Sequence, residues 1–364
     1  MEIKIPTPQL QKTLDLTSRI STKHVTLPVL QCVLISAEAG TITVRATNLE
    51  ISVEAAVVGE IIEDGAIAVP AQTLWQSVQL ITQPEVTLRV EDGVLTLEAK
   101  QTSTSIKAVP HEEFPIPHRL EGAVHKVQRS LFSLGIKTAA FAASQSSIKP
   151  ELGSIYIQQK KEHSLTFVAT DSFRLMEKSV PQKGLVFDQA IMVPQKNALE
   201  LARLCDLLTA DPELHVTDNQ CALSFPEGVY VISRLVTGSF PDYAQIIPKE
   251  YASHVTVLKE DLQKAFRKTG IFLNKFRQVA IAVTSDGLTV SAQNAELGHV
   301  TDTVPATVEG EELSLNFNQQ YVVDPLSHIS DESIVLHFAG LGRPLVLNGV
   351  RDASVRYLVM PMNR

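Results

Sequence analysis

The chain carries one strand–turn–strand pattern three times at a fixed separation. Residues 41–57 (TITVRATNLEISVEAAV), 164–180 (SLTFVATDSFRLMEKSV) and 287–304 (GLTVSAQNAELGHVTDTV) each combine an alternating apolar run, a polar break after an alanine, and a second alternating run. Successive copies of that alanine lie 123 residues apart, at Ala46, Ala169 and Ala292. This spacing is the length of a whole domain, because solenoid repeats span roughly 20–50 residues. The sequence therefore predicts three tandem copies of one domain.

Each copy also predicts an opening helix and about eight strands. In the first copy, Leu10, Leu14 and Thr17 share one helical face. In the second copy the predicted apolar stripe is Val127, Leu131, Leu134, Thr138 and Phe141, with Arg129, Ser133 and Lys137 on the opposite face. In the third copy the stripe is Leu258, Leu262 and Phe266.

A second helix follows in each copy, after an alternating apolar run. Pro70 and Pro194 are predicted in its first turn, where a missing N–H costs nothing, and Asn318 holds the corresponding place in the third copy. A strand pair then closes each domain, and in the first copy its turn is predicted at Glu91–Gly93. The predicted fold class is α+β, with two helices packed on antiparallel sheets in every domain.

Clusters of proline and histidine mark the predicted domain boundaries. They fall at 114–125 and 240–248, so the expected domains are 1–120, 121–246 and 247–364. With 44% hydrophobic and 20% charged residues, the composition is that of an ordinary globular protein. No signal peptide and no membrane span are expected. The three cysteines fit reduced core positions, and the predicted location is cytoplasmic.

Positive charge concentrates in the segments predicted as helices. The chain has 32 Lys and Arg against 40 Asp and Glu, a net charge of −8. The six helical segments carry 14 basic and 6 acidic residues, whereas the rest of the chain carries 18 and 34. Basic helices in an acidic frame suit a protein that holds a phosphate backbone on one surface and repels it elsewhere. The alternative is that these are ordinary solvated helix faces.

Motifs for catalysis, cofactors and metals are missing from the sequence. It has no G-x-G-x-x-G, P-loop, H-E-x-x-H or G-x-S-x-G pattern, so we expect no catalytic residue, no cofactor and no metal site. Asp171 and Arg174, in ATDSFRL, could be imagined as an acid and an anion clamp. Because they lie between two strands, we predict that they form a turn and its hydrogen bonds instead.

Four further motifs, together with the triple repeat, resemble the bacterial β sliding clamp family. They are TLPVL at 26–30, ATDSFRL at 169–175, FPDYAQIIP at 240–248 and the terminal YLVMPMNR, and they occur in the family's order along the whole chain. The resemblance implies a head-to-tail homodimer closed into a ring around duplex DNA, with helices lining the hole. It also implies sequence-independent DNA binding and a non-catalytic role as the processivity subunit of the replicative DNA polymerase.

The resemblance further implies a groove for short peptides carried by the polymerase, the clamp loader and repair enzymes. By the match of motifs, its residues are Leu152, Thr170, Ser172, Phe173, Arg174, Leu175, Pro241, Gln245, Ile246, Asn318, Tyr321, Met360, Pro361 and Met362. We expect Met362 to form one wall and Leu175 with Ile246 the other. The turns of the first and third copies lack the Phe-Arg-Leu cluster, so we expect one functional groove per chain.

Contacts with DNA and with the second subunit are expected elsewhere. The predicted DNA-binding residues are Lys23, His24, Gln72, Arg129, Lys137, Lys149, Lys264 and Lys268. The predicted dimer interface comprises Thr104, Ile106, Ile271, Phe272 and Leu273, although Phe272 could equally belong to the core of the third domain. An alternative function is a clamp-like structural or scaffolding paralogue that no longer loads on DNA.

Overall fold

The computed structural model of the chain describes residues 1–21, 27–100, 102–146, 148–183, 186 and 189–362. These residues divide into two compact units. The first comprises Met1–Ser133 and Leu199–Leu235, and the second Leu134–Ala198 and Val236–Arg364. The middle third of the sequence therefore contributes to both units.

Six α-helices occur in the described residues, two in each third of the chain. They are α1 (Thr7–Thr17), α2 (Ala71–Gln79), α3 (Arg129–Ala140), α4 (Gln195–Leu207), α5 (Lys259–Thr269) and α6 (Gln319–Val323). Short 3₁₀ turns span Pro28–Gln31, Tyr243–Ile246, Gly270–Phe272 and Asp324–Ser327. In each copy the second helix directly follows the predicted Pro70, Pro194 or Asn318, which confirms those helix starts.

The strands of the first unit are β1 (Glu2–Pro6), β2 (Cys32–Glu38), β3 (Thr41–Thr47), β4 (Ile51–Val57), β5 (Glu60–Glu63), β6 (Gly65–Pro70), β7 (Glu85–Glu91), β8 (Val94–Ala99), β9 (Thr102–Lys107) and β10 (Ala123–Lys126), followed later in the chain by β15 (Glu213–Val216), β16 (Gln220–Phe225) and β17 (Val229–Arg234). The strands of the second unit are β11 (Ser154–Lys161), β12 (Ser164–Thr170), β13 (Arg174–Pro181), β14 (Ile191–Pro194), β18 (Ser253–Leu258), β19 (Gln278–Thr284), β20 (Gly287–Asn294), β21 (Gly298–Val304), β22 (Ala306–Gly310), β23 (Leu313–Asn318), β24 (Ser333–Phe338), β25 (Leu345–Gly349) and β26 (Val355–Val359).

Two antiparallel sheets form the first unit. One has the strand order β5-β1-β7-β8-β9, so β9 is an edge strand. The other has the order β10-β15-β16-β17-β4-β3-β2-β6. At its centre, β4 of the first copy pairs with β17 of the second, with Ser52 opposite Ile232. A single sheet thus joins strands from two consecutive copies.

The second unit repeats this arrangement one copy later. Its large sheet has the order β14-β11-β12-β13-β26-β25-β24-β18-β22, and its small sheet the order β21-β20-β19-β23. Here β13 of the second copy pairs with β26 of the third, with Leu175 opposite Leu358. The same strand pairing therefore links the second copy to the third.

The polar break of the sequence repeat is a turn closed by one side chain. In each copy the side-chain oxygen of Asn48, Asp171 or Asn294 accepts the backbone N–H groups two and three residues further on, at 2.9–3.3 Å. This is the geometry of an Asx turn. The structural interpretation of Asp171 is thereby confirmed.

A glutamine at the start of each second helix repeats in the same way. Gln72 donates to the carbonyl of Ser18, Gln195 to that of Ala140 and Gln319 to that of Phe266, at 3.3, 2.6 and 2.5 Å. Each acceptor lies at the C-terminal end of the first helix of the same copy. The Ala140 and Phe266 carbonyls also accept the backbone N–H of Ala143 and Gly270, so the glutamine amide adds a second hydrogen bond there and ties the two helices together.

The buried face of α3 differs from the prediction, that of α1 agrees with it, and that of α5 agrees except at Leu258. Leu10, Leu14 and Thr17 of α1 and Leu262 and Phe266 of α5 are buried, and Leu258 lies just before α5 and is exposed. In α3 the buried residues are Phe132, Ser133, Gly135, Ile136, Thr138, Ala139 and Ala140.

Two contacts explain the rotation of α3. Gly135 lies against the ring of Phe167, where a Cβ atom would overlap the ring carbons. Ser133, predicted on the exposed face, is buried because its hydroxyl donates to Asp206 at 2.8 Å. The side of the helix with small residues therefore packs inward, and Leu134 is left 45% exposed.

The three cysteines lie in the protein core. Cys32, Cys205 and Cys221 are buried and none of them forms a disulfide, as predicted. Burial raises the pKa of the Cys32 thiol to about 11 and that of Cys221 to about 12, so both are protonated and unreactive at neutral pH.

Within the part of the chain that the structure describes, no helix is long and apolar enough to cross a membrane.

The contact between Gly135 and Phe167 can be tested by Gly135→Ala. Helix propensity alone would stabilise the protein by about 1 kcal/mol. Because the added methyl group would overlap the Phe167 ring, we expect a net destabilisation of about 1–3 kcal/mol, measured by urea denaturation. In a Phe167→Leu background the same change should cost clearly less. A stabilised Gly135→Ala protein would contradict this packing.

Candidate functional site

Arg174 is the centre of a polar network beneath the turn that follows β12. Its guanidinium donates to Asp171 at 2.9 Å, to Asp324 at 2.5 Å and to the carbonyl of Phe141 at 2.8 Å. The same group lies 4.5 Å from the ring centre of Tyr321. These contacts bring the end of α3, the turn and α6 of the second unit together around one buried cation.

Two carboxylates face one guanidinium in this largely buried network. The Arg174 side chain is 13% exposed and those of its partners Asp171 and Asp324 are 13% and 22% exposed. Burial opposes the positive charge, but Tyr357 and the two carboxylates together raise the pKa of Arg174 above its ordinary value. Arg174 is therefore a permanent cation whose hydrogen bonds fix the turn.

An apolar cluster lies beside this network. Leu175 is fully buried and packs with Tyr243, Val346 and Leu358, and the partly buried Met360 lies against the same cluster. These residues come from the turn, the segment after residue 240, and the last strands of the third copy. Leu175 of ATDSFRL thus meets Leu358 and Met360 of YLVMPM, but because it is fully buried it supports the surface from below and does not form the predicted wall of the groove.

The C-terminal residues are held by backbone hydrogen bonds beyond the last strand. The N–H of Met360 donates to the carbonyl of Phe173 at 2.8 Å, and that of Met362 to the carbonyl of Asn316 at 2.7 Å. Pro361, between them, has no N–H to donate. The segment is therefore fixed along the turn on one side and β23 on the other, and all three residues stay partly accessible.

Large apolar side chains face solvent around this surface. Phe173, at the tip of the turn, is 61% exposed and Ile246 is 48% exposed. Ser172 has a φ of 77°, a conformation that L residues rarely adopt, and it turns the chain sharply before Phe173. Exposed apolar side chains beside partly buried methionines suit the binding of Leu or Phe side chains from a partner.

The other residues predicted for the groove have mixed roles. Thr170 is buried and donates to the carbonyl of Arg174 at 2.6 Å, and Leu152 is also buried. Asn318 caps α6 by accepting the N–H of Gln320 at 3.0 Å. Pro241 and Gln245 are exposed. Several of these residues therefore shape the surface from below, and fewer present a side chain to a ligand.

Several residues predicted to bind DNA form hydrogen bonds or ion pairs within the protein. Arg129 donates to the carbonyls of Thr209 and Cys205 at 2.9 and 3.0 Å, so it caps the C-terminal end of α4. Gln72 is one of the three repeated glutamines described above. Lys23 and His24 lie outside the described residues.

The predicted lysines are exposed, but those of α5 are ion-paired. Lys264 contacts Glu260 at 2.9 Å within its own helix, and Lys268 contacts Asp302 at 2.8 Å. Lys137 and Lys149 are exposed on α3 and on the loop that follows it. Arg267, which was not among the predicted residues, is a further exposed basic residue on α5. In the sequence, Arg267 follows Phe266 of the apolar stripe and precedes Lys268. This position at the edge of the stripe could have predicted an exposed basic side chain.

The residues predicted for the dimer interface lie at sheet edges and on an exposed turn. Thr104 and Ile106 belong to the edge strand β9, and Ile106 is buried within its own unit. Ile271 is 68% exposed, whereas Phe272 and Leu273 are partly buried.

In the described ranges no group of three His, Cys, Asp or Glu residues is placed to hold a metal ion. The site presents a fixed apolar surface. Arg174 supports it from below, and backbone hydrogen bonds hold the C-terminal segment beside it.

Comparisons with known proteins cover all three copies. Family models of the DNA polymerase III beta subunit match its N-terminal domain at residues 1–118, its central domain at 126–242 and its C-terminal domain at 244–363. The chain belongs to the DNA polymerase III beta subunit family.

Relatives and solved structures of this family match over the whole chain. Beta sliding clamps from Caulobacter vibrioides and Pseudomonas aeruginosa are each 27% identical, over 372 and 371 residues, with all of both chains covered. The crystal structure of the DNA polymerase III subunit beta from Pseudomonas aeruginosa superimposes with a TM-score of 0.94 at 26% identity, covering both chains completely. A sliding clamp from that organism bound to griselimycin gives 0.93.

Membership of the beta subunit family confirms the predicted fold class and its function class. The chain consists of three tandem clamp domains, each with helices and antiparallel sheets. The family is that of a non-catalytic sliding clamp in DNA replication.

The role of Arg174 as a structural centre can be tested by Arg174→Ala. We expect a loss of about 3 kcal/mol in the free energy of unfolding in urea, because two largely buried carboxylates would lose their partner. Asp324→Asn should cost less, since Asp171 and the Phe141 carbonyl still accept from Arg174. A change within about 0.5 kcal/mol for Arg174→Ala would show that the network does not support the turn.

Proposed function

We propose that this protein is the sliding clamp of a bacterial replicative DNA polymerase and that it encircles duplex DNA as a ring-shaped homodimer. It would tether the polymerase for processive synthesis and would bind DNA without sequence specificity. The observation that carries the proposal is the match of all three domains to the beta subunit family, over residues 1–363.

Sheet edges and exposed apolar residues support the dimer. The edge strand β9 of the first unit and the edge strand β21 of the second leave backbone N–H and C=O groups for pairing with another chain. Leu297, which directly precedes β21, and Ile271, in the 3₁₀ turn that contacts β21, supply apolar side chains at 64% and 68% exposure. Two copies joined head to tail by such edges would close a ring.

Exposed basic residues on helices support a surface for the phosphate backbone. Lys137, Lys264, Arg267 and Lys268 project from helices, and Lys149 from the loop after α3. Intramolecular ion pairs weaken the attraction of Lys264 and Lys268 for phosphate. A ring that is held on DNA by its topology needs only weak contacts of this kind.

The apolar surface around Phe173, Ile246, Met360 and Met362, which we call the tail groove, supports binding of partner peptides. We propose that the polymerase, the clamp loader and repair enzymes each insert a Leu or Phe side chain there. We place the protein in the cytoplasm with the chromosome, and domain boundaries at residues 120 and 246 remain part of the proposal.

The tail groove provides the experiment for the proposed function. We expect Ile246→Ala with Met362→Ala to weaken binding of the replicative polymerase from the same organism by at least tenfold, because the truncated side chains bury less apolar surface against the partner. Primer extension on a loaded template should yield correspondingly shorter products. Ile62→Ala, which truncates a half-exposed side chain on β5, serves as the control. Normal processivity in the double variant would reject the tail groove as the polymerase site.

The DNA surface makes a separate prediction. Lys149→Glu with Lys264→Glu should weaken binding to linear duplex DNA. It should also make the negative slope of log K against log salt shallower, by roughly 1 for each phosphate that is no longer neutralised. Lys161→Glu with Lys183→Glu, an equal charge change at two exposed residues outside the helices, should leave that slope unchanged. Equal effects of both changes would mean that only the net charge matters.

A further inference from the structure

A second cavity lies in the first unit, where the internal repeat places the counterpart of the tail groove. Its volume is about 180 Å³, and it lies between the turn after β3, the segment of residues 115–117, and strands β16 and β17. No residue of this cavity is among those predicted for the peptide groove. We call it the first-unit pocket.

The backbone around the first-unit pocket matches that of the tail groove. Leu49 at the tip of its turn has a φ of 73°, and Ser172 at the corresponding turn has a φ of 77°. Ser52 faces Ile232 across the β4–β17 pair, as Leu175 faces Leu358 across the β13–β26 pair. The two sites are thus built at equivalent junctions between copies.

The size of the pocket limits what it can hold. Sites for drug-sized molecules measure roughly 300–1,000 Å³, so about 180 Å³ suits one side chain. Leu49 and Ile116 supply apolar surface at 40% and 56% exposure, and Ile232 is nearly buried. A leucine-sized aliphatic side chain fits this lining better than an aromatic one.

The polar part of the lining differs from that of the tail groove. Where the second unit has Leu175, this pocket has Ser52, whose hydroxyl lies 2.6 Å from that of Thr47. Gln220 adds an amide to the same lining. The methionines that make the tail groove adaptable have no counterpart here, so the two sites select different peptides.

Charge at the pocket indicates an acidic neighbour for the aliphatic anchor. Arg234 is exposed and lines the cavity, and its guanidinium suits a carboxylate. Glu50 lies on the same lining, and its carbonyl accepts the Arg234 N–H at 2.9 Å. The Glu50 carboxylate would repel a run of acids, so a single carboxylate complements the site best.

The segment of residues 115–117 favours a peptide over an isolated small molecule. It lies outside all helices and strands of the described residues, and its sequence is Pro-Ile-Pro. Neither proline has an N–H, so Ile116 offers the one backbone donor of this stretch, together with three carbonyls. An extended peptide can hydrogen-bond to such a segment while its side chain enters the cavity.

We propose that the first-unit pocket is a second docking site, which binds a short peptide carrying a leucine-sized anchor next to one carboxylate. The inference rests on the proposed function, because its occupant would be a second tether between the clamp and a partner protein. It differs from the expectation of a single functional groove per chain.

The test uses the full-length protein with methyl groups labelled for NMR and the peptide acetyl-Gly-Leu-Asp-Gly-amide. We expect saturable shifts of the Leu49, Ile116 and Ile232 methyls in the millimolar range. Replacing the peptide's leucine by alanine should weaken binding roughly tenfold, and replacing its aspartate by asparagine should weaken it several-fold. In Arg234→Gln protein the Asp and Asn peptides should bind equally.

Several outcomes would overturn the proposal. They are the absence of saturable shifts, equal binding of the alanine peptide, and shifts confined to Leu175, Leu358 and Met360, which would place the peptide in the tail groove. Unchanged methyl spectra elsewhere verify that Arg234→Gln is folded. The readout is independent of DNA loading, so failure in primer extension would reject the proposed function while leaving this site intact.

Discussion

The structure depends on antiparallel pairing between strands of consecutive copies. The β4–β17 pair joins the first copy to the second, and the β13–β26 pair joins the second to the third. Each pair is central in a sheet of eight or nine strands, so its backbone hydrogen bonds are shielded from water on both sides. Both pockets lie at the end of such a pair, which is why the repeat of the sequence is also a repeat of possible binding sites.

Much of the fold was predictable because its signals are local. The alternating runs specify the strands, and the Glu-Asp-Gly turn at residues 91–93 has positive φ at Asp92 and Gly93, as a tight hairpin requires. The packed face of α3 was not predictable, since it depends on the ring of Phe167 meeting a helix without a Cβ at Gly135. Gly135 and Phe167 are distant in sequence, so no local pattern shows their contact. A search for apolar periodicity also follows large side chains and therefore overlooks a helix face made of small residues.

The structure brings several predicted site residues together and gives some of them intramolecular partners that the sequence did not show. The motifs brought Leu175, Met360 and Tyr321 to one region, but the structure gives Arg174 the task of supporting the turn. Similarly, Arg129 and the repeated glutamines satisfy helix carbonyls. A sequence shows that a side chain carries charge or an amide, whereas the partner of that group is fixed by tertiary structure. A charge count over helices therefore overstates the charge that remains for DNA.

In the proposed function, a closed ring holds the protein on DNA by topology, with weak contacts to the backbone. The most direct measurement loads the protein on closed circular duplex DNA with its clamp loader, isolates the complex, and then linearises the DNA with a restriction enzyme. If the ring is closed around DNA, we expect the protein to stay on the circular DNA at moderate salt and to leave within minutes of linearisation. Equal retention on circular and linear DNA would contradict it, because binding would then depend on contacts and not on a closed ring.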